Sequence, residues 1–130
     1  MTNDQTARDI ANRPMPFALV WGIPIAIVIS MNFAQGYLPF NVIVLIMATA
    51  VAWMGLSCVI NAARCGRLHC KFSGPIFLVG AAGILASGFG LLGAPGTFIN
   101  EITWGTFALA LSTYGLEFIW GPYGKGREAR

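Results

Sequence analysis

The chain has 130 residues, 56% of them hydrophobic and only 10% charged, with eight Lys and Arg against five Asp and Glu and a formal net charge of +3. Its mean hydropathy of +0.68 excludes an ordinary soluble domain, in which about a quarter of the residues are charged. The positive charge is not interleaved with aromatics in a basic patch, which excludes a nucleic-acid partner and leaves anionic lipid headgroups as its counter-charge.

In chain order, the opening segment MTNDQTARDIANRP is polar and mixed in charge. It lacks the pattern of a secretory signal, so residues 1–15 read as a tail ahead of a retained first span. Four apolar stretches follow: Pro16 to Phe33, Asn41 to Ala63, Gly74 to Leu92 and Ile99 to Trp120. A helix rises about 1.5 Å per residue and the hydrocarbon core is about 30 Å thick, so each is long enough to span with modest tilt. Pro24 predicts a kink in the first. Arg8 and Arg13 precede the first span, Arg64, Arg67 and Lys71 lie between the second and third, and Lys125, Arg127 and Arg130 follow the fourth. The other two connections, AQGYLPF and GAPGTF, have no cation. Cytoplasmic segments retain Lys and Arg, so residues 16–120 are expected to form an all-α membrane protein of four transmembrane helices in a compact bundle, in a bacterial inner membrane, with the N-terminal tail and the tail 121–130 both cytoplasmic.

Phe17, Trp21, Tyr37, Phe40, Phe98, Trp104, Phe118, Trp120 and Tyr123 fall near the expected membrane boundaries and read as anchors. The third span carries Gly80, Gly83 and Ser87, with Ala82, Ala86 and Gly90 at four-residue spacing, a pattern that admits close helix approach and predicts a central helix or a dimer seam. Asn32 and Asn61 are expected to make interhelical hydrogen bonds.

Residues 61–75, NAARCGRLHCKFSGP, hold two of the three cysteines and the single histidine. Gly66 is suited to a left-handed helix stop, placing Cys65 on the last turn of the second span, and Ser73, Gly74 and Pro75 read as the next helix start, with a tight cytoplasmic turn between. Cys58 and Cys65 share a helix face two turns apart. Neighbouring Arg64, Arg67 and Lys71 favour the thiolates of Cys65 and Cys70, and thiolate with imidazole suits soft or borderline ions such as Hg(II), Cu(I) or Zn(II). Cys65 and Cys70 are the expected ligands, with His69 assisting and Cys58 a relay within the membrane. Against this stands a plainer reading, in which the loop's charge sets topology and Cys58 is a small buried hydrophobe. A Cys65–Cys70 disulfide lacks the C-x-x-C spacing of a reversible couple. Glu117, near the end of the fourth span, is expected to pair with Arg64 or Arg67, and Glu101 to face the opposite end as a solvated first-turn acid. No paired acids, Ser/His/Asp set or phosphate loop points to an enzyme.

At RCGRLHCKFSGP, residues 64–75, the chain resembles a group of small bacterial membrane proteins whose segment reads RCGRxHCxFTGP; Ser73 stands where that pattern has threonine. The resemblance implies a shared membrane fold and names no activity. A weaker likeness is to the mercuric-ion transport membrane proteins, which pass Hg(II) between cysteine pairs, although their first-helix pair has no counterpart here. The expected function is handling or transport of a soft metal ion, with no further cofactor. The alternative is a small accessory subunit that packs on a larger membrane complex, or on a second copy of itself, through the third span.

Overall fold

The computed structural model describes residues 7–121, which form four long helices and no strands beyond one isolated bridge between Gln35 and Leu38. A 3-10 turn at Ile10–Asn12 leads into α1, Pro14–Phe33. α2 is Phe40–Cys65, α3 Leu68–Gly88 and α4 Ile99–Trp120. α1, α2 and α3 are each long and apolar enough to cross a membrane. α4 is of similar length but less apolar, with Glu101, Thr103, Thr106, Ser112, Thr113 and Glu117 along it.

α1 is not uniform. It starts as α-helix at Pro14–Phe17, widens to a π turn over Ala18–Gly22 and returns to α-helix at Ile23–Phe33. Pro24 has no N–H to offer the preceding turn, and just before it the Ile23 N–H reaches back five residues to Ala18 O. The kink expected at Pro24 thus takes the form of a widened turn. Trp21 lies within it and points inward, buried. It is therefore a core residue and not a boundary anchor. Tyr37, Trp104, Phe118 and Trp120 do face outward; Tyr123 lies outside the described residues.

α2 ends where expected: Gly66 adopts φ 74° and donates its N–H to Ala62 O at 2.8 Å. The next helix, however, begins at Leu68. The connection expected to run to Ser73 is only Gly66 and Arg67, and Pro75 lies inside α3. A left-handed glycine followed by one extended residue, Arg67 at φ −61°, ψ 129°, already reverses the chain. His69 and Cys70 therefore sit on the first turn of a helix. α3 also ends earlier than expected, at Gly88, with Gly90 at φ 76° in the following turn.

The helices pack in sequence order: α1 on α2, α2 on α3 most extensively, and α3 on α4. α1 and α4 are not a packed pair. The α2/α3 seam is tight because it is lined by glycine: a Cβ at Gly55 would lie 3.0 Å from Gly74 O and from Leu78 N. Gly80 likewise faces Thr106 with no room for a side chain. The small residues of the third span thus serve seams within the bundle. Val28, Val44, Met47, Val51, Met54, Phe77 and Ile84 fill the core.

Candidate functional site

Three separate stretches meet at one end of the bundle. Arg67, in the α2/α3 turn, reaches Asp9 Oδ2 through Nη1 at 2.8 Å and Glu117 Oε1 through Nε at 3.3 Å. Asp9 precedes α1 and Glu117 is near the end of α4, so the two contacts close the polar end. Burial disfavours the charge on Arg67, but the two carboxylates outweigh it and hold the guanidinium above its ordinary range. Glu117 therefore takes Arg67 as its cation; Arg64 is exposed. Asp9, only 1% exposed, also accepts a hydrogen bond from Asn61 Nδ2 at 2.9 Å, and Asn61 Oδ1 accepts the Ile10 N–H at 3.0 Å. Asn61 Nδ2 also donates to Cys70 Sγ on α3 at 3.6 Å, the interhelical hydrogen bond expected of it. Asn32 instead donates to Val28 O in its own helix.

The network continues to the thiols. Glu117 Oε1 lies 2.6 Å from His69 Nδ1 and also accepts the His69 backbone N–H at 3.2 Å. A carboxylate only accepts, so the Nδ1 proton belongs to this bond, and Nε2 is left with its lone pair. Nε2 lies 3.3 Å from Cys70 Sγ. Tyr114 stacks on the imidazole with centroids 4.1 Å apart. The result is a line from Arg67 through Glu117 and His69 to Cys70, in which each group orients the next. Cys70 is fully buried and shares the core with Cys58 of the facing helix α2. Cys58 Sγ further accepts the Trp21 indole N–H at 3.3 Å, so the widened turn of α1 serves the thiol directly.

Of the expected ligands, His69 and Cys70 meet, and Cys58 and His69 line one cavity. Cys65 takes no part, its thiol donating to Asn61 O at 3.0 Å. The cations expected to favour thiolate are elsewhere: Arg67 is held by carboxylates, and Arg64 and Lys71 are exposed. Their place is taken by neutral groups, the imidazole and the indole N–H. All three cysteines are free thiols. Among the described residues no group of three or more His, Cys, Asp or Glu side chains is disposed to hold a metal ion. Asp9, Trp21, Ser73 and Tyr114 were not anticipated. That Asp9 is buried against Arg67, 58 residues along the chain, is invisible before the fold is known, and Trp21 reads from sequence as an interfacial aromatic.

Beside the thiols is a cavity of about 210 Å³ between all four helices, lined in part by Trp21, Cys58, His69, Ser73, Phe107 and Tyr114. Ser73 and Cys58 both line this cavity, and Ser73 Oγ is buried without a hydrogen-bond partner. No family model, curated protein or solved structure matches the chain.

Proposed function

We propose that this is a four-span protein of a bacterial inner membrane, both ends cytoplasmic, that takes a soft metal ion, Cu(I) or Hg(II), as cargo on the Cys58 and Cys70 thiols. The observation that carries this reading is the burial of those two thiols in one core on facing helices, with His69 Nε2 3.3 Å from Cys70 Sγ and the Trp21 N–H donating to Cys58 Sγ at 3.3 Å. Two thiolates complete a linear site for a soft ion, and binding must release the thiol protons. His69 accepts the Cys70 proton and Glu117 stabilises the imidazolium that results. Zn(II) is set aside, since it calls for four ligands and the described residues offer no such set.

The membrane setting is supported by three apolar helices of spanning length and by the meeting of Asp9, Arg67 and Glu117 at one end. That end carries Arg8, Arg13, Arg64, Arg67 and Lys71, which makes it the cytoplasmic side. Lys125, Arg127 and Arg130 lie outside the described residues. At 22 residues α4 extends about 33 Å, enough to serve as the fourth span. A reporter fused after Thr97 should read the outside; a cytoplasmic signal there overturns the topology.

Reduced, metal-free protein titrated anaerobically with Hg(II) or Cu(I) should take up one equivalent. Cys58→Ser and Cys70→Ser should each abolish tight binding and Cys65→Ser should retain it. A Cys58→Ser/Cys70→Ser variant that binds as well as the parent overturns the reading. The accessory-subunit alternative has a weaker footing, because its docking face on α3 is taken up internally by Thr106 at Gly80 and Ile102 at Gly83.

A further inference from the structure

The polar contacts at the end of the bundle close into a ring that includes Cys70. Arg67 Nη1 donates to Asp9 Oδ2 at 2.8 Å, and Arg67 Nε donates to Glu117 Oε1 at 3.3 Å. Glu117 Oε1 lies 2.6 Å from His69 Nδ1, and His69 Nε2 lies 3.3 Å from Cys70 Sγ. Asn61 Nδ2 completes the circuit, donating to Cys70 Sγ at 3.6 Å and to Asp9 Oδ1 at 2.9 Å. Asn61 and Cys70 are 0% exposed and Asp9 1%, so a reagent in water cannot touch the thiol while the ring is closed.

The ring has one charged member that can leave without leaving a buried ion behind. Asp9 belongs to a short arm ahead of α1, whereas Glu117 is built into α4 and Arg67 into the α2/α3 turn. A 3-10 turn at Ile10–Asn12 and an extended Arg13, at φ −112° and ψ 124°, separate the arm from the first helical turn at Pro14. The arm rests on α2 through Asn61, whose Oδ1 accepts the Ile10 N–H at 3.0 Å, and through the partly buried Ile10 side chain. If Asp9 departs, its carboxylate passes into water and Arg67 keeps Glu117. If Arg67 departs, Asp9 is stranded in the interior; if Glu117 departs, His69 loses the carboxylate that orients it. Release of the arm also frees the Asn61 amide, the link between Asp9 and Cys70, so the lowest-cost opening of this end is the one that uncovers the thiol. We propose that residues 7–12 are a gate over Cys70, closed by Asp9 and hinged at Arg13. The proposal rests on Cys70 being a working thiol of the site: a soft ion arriving from the polar end reaches it through the open arm, by a route separate from the cavity that Cys58 lines.

The test measures access to Cys70 with no metal present. Reduced, full-length Cys65→Ser protein in detergent is treated with a sulfonated, water-soluble maleimide, and labelling of Cys58 and Cys70 is followed separately by peptide mass measurement. Asp9→Ala in this background should label Cys70 roughly ten- to hundredfold faster, the worth of a hydrogen bond to a charged group, while the rate at Cys58 stays the same. Asp9→Asn, which keeps the shape and the contact with Asn61 but not the charge, should fall between parent and Asp9→Ala. The Ile10 amide proton, released by the same opening, should exchange with solvent faster by the same factor as the Cys70 labelling. Cys70 labelling no faster in Asp9→Ala than in the parent, equal acceleration at Cys58 and Cys70, or a gain at Cys70 with none at the Ile10 amide overturns the proposal. If the labelling and exchange behave as expected but the protein takes up no Hg(II), the metal reading fails and the gate stands; if Hg(II) binds and Asp9→Ala changes neither labelling nor exchange, the gate fails and the metal reading stands.

Discussion

The α2/α3 seam and the gap between α1 and α4 flank the same thiols and are built in opposite ways. At the seam Gly55 and Gly74 bring two backbones so close that a Cβ at either would touch main-chain atoms of the other helix. Across the bundle α1 and α4 stand apart, leaving an aromatic-walled cavity and exposed side chains such as Leu111. The seam holds Cys58 and Cys70 in one core on facing helices, and Cys58 also lines the cavity in the gap. A site in an apolar medium needs both, because chemistry requires fixed geometry while supply requires an opening. In lipid there is no hydrophobic drive to press helices together, so it is glycine-permitted contact that decides which faces close.

The most forceful way to break this contrast is to wedge the closed side. Gly55→Leu should cost about 3 kcal/mol or more, because the added side chain meets the backbone at Gly74 and Leu78, which cannot rotate away. Unfolding in mixed micelles measures it, and a loss under about 1 kcal/mol would mean the seam is not the rigid element.

A smaller effect is expected where the charged latch closes the polar end. Arg67→Met leaves the Asp9 and Glu117 carboxylates without their shared cation, and Asp9 is buried. Removal of one partner of a fully buried pair costs about 3–5 kcal/mol; partial exposure of Arg67 reduces the expected loss to about 2 kcal/mol. The loss should be accompanied by a displaced His69, visible as a changed imidazole resonance. A His69 signal that does not move would separate the latch from the thiol site.

The smallest effect belongs to the open side. Leu111→Ala, on a residue 64% exposed at the mouth of the cavity, should alter stability by less than about 0.5 kcal/mol. If it instead costs as much as a core truncation, α1 and α4 close on one another in the membrane and the gap is not an entrance.

Much of the helical order was legible because it depends on local chemistry. The apolar stretches, the Gly66 stop and the fall of Cys65 on the last turn of α2 could all be read from residue type and spacing. The boundary at residues 68–74 could not. Pro75 argued for a start nearby, yet the helix begins at Leu68 and passes through Pro75, with Gly74 against α2 just before it. That shift turned a loop motif into a helix face, and it set Cys70 beside His69 Nε2 while Cys65 bonds within its own helix.

The sequence by itself determined the number and order of the long helices and the apolar character of the first three, since hydropathy acts over a few residues at a time. It also supplied every chemical group of the site. Only the tertiary structure decided which of those groups meet. Asp9, Arg67 and Glu117 are far apart in the chain, as are Trp21, Cys58 and Tyr114, and each set is assembled by how four helices pack. The physical reason is that contact across helices depends on where small residues permit close approach and on the register of one helix against the next, and no local pattern encodes either.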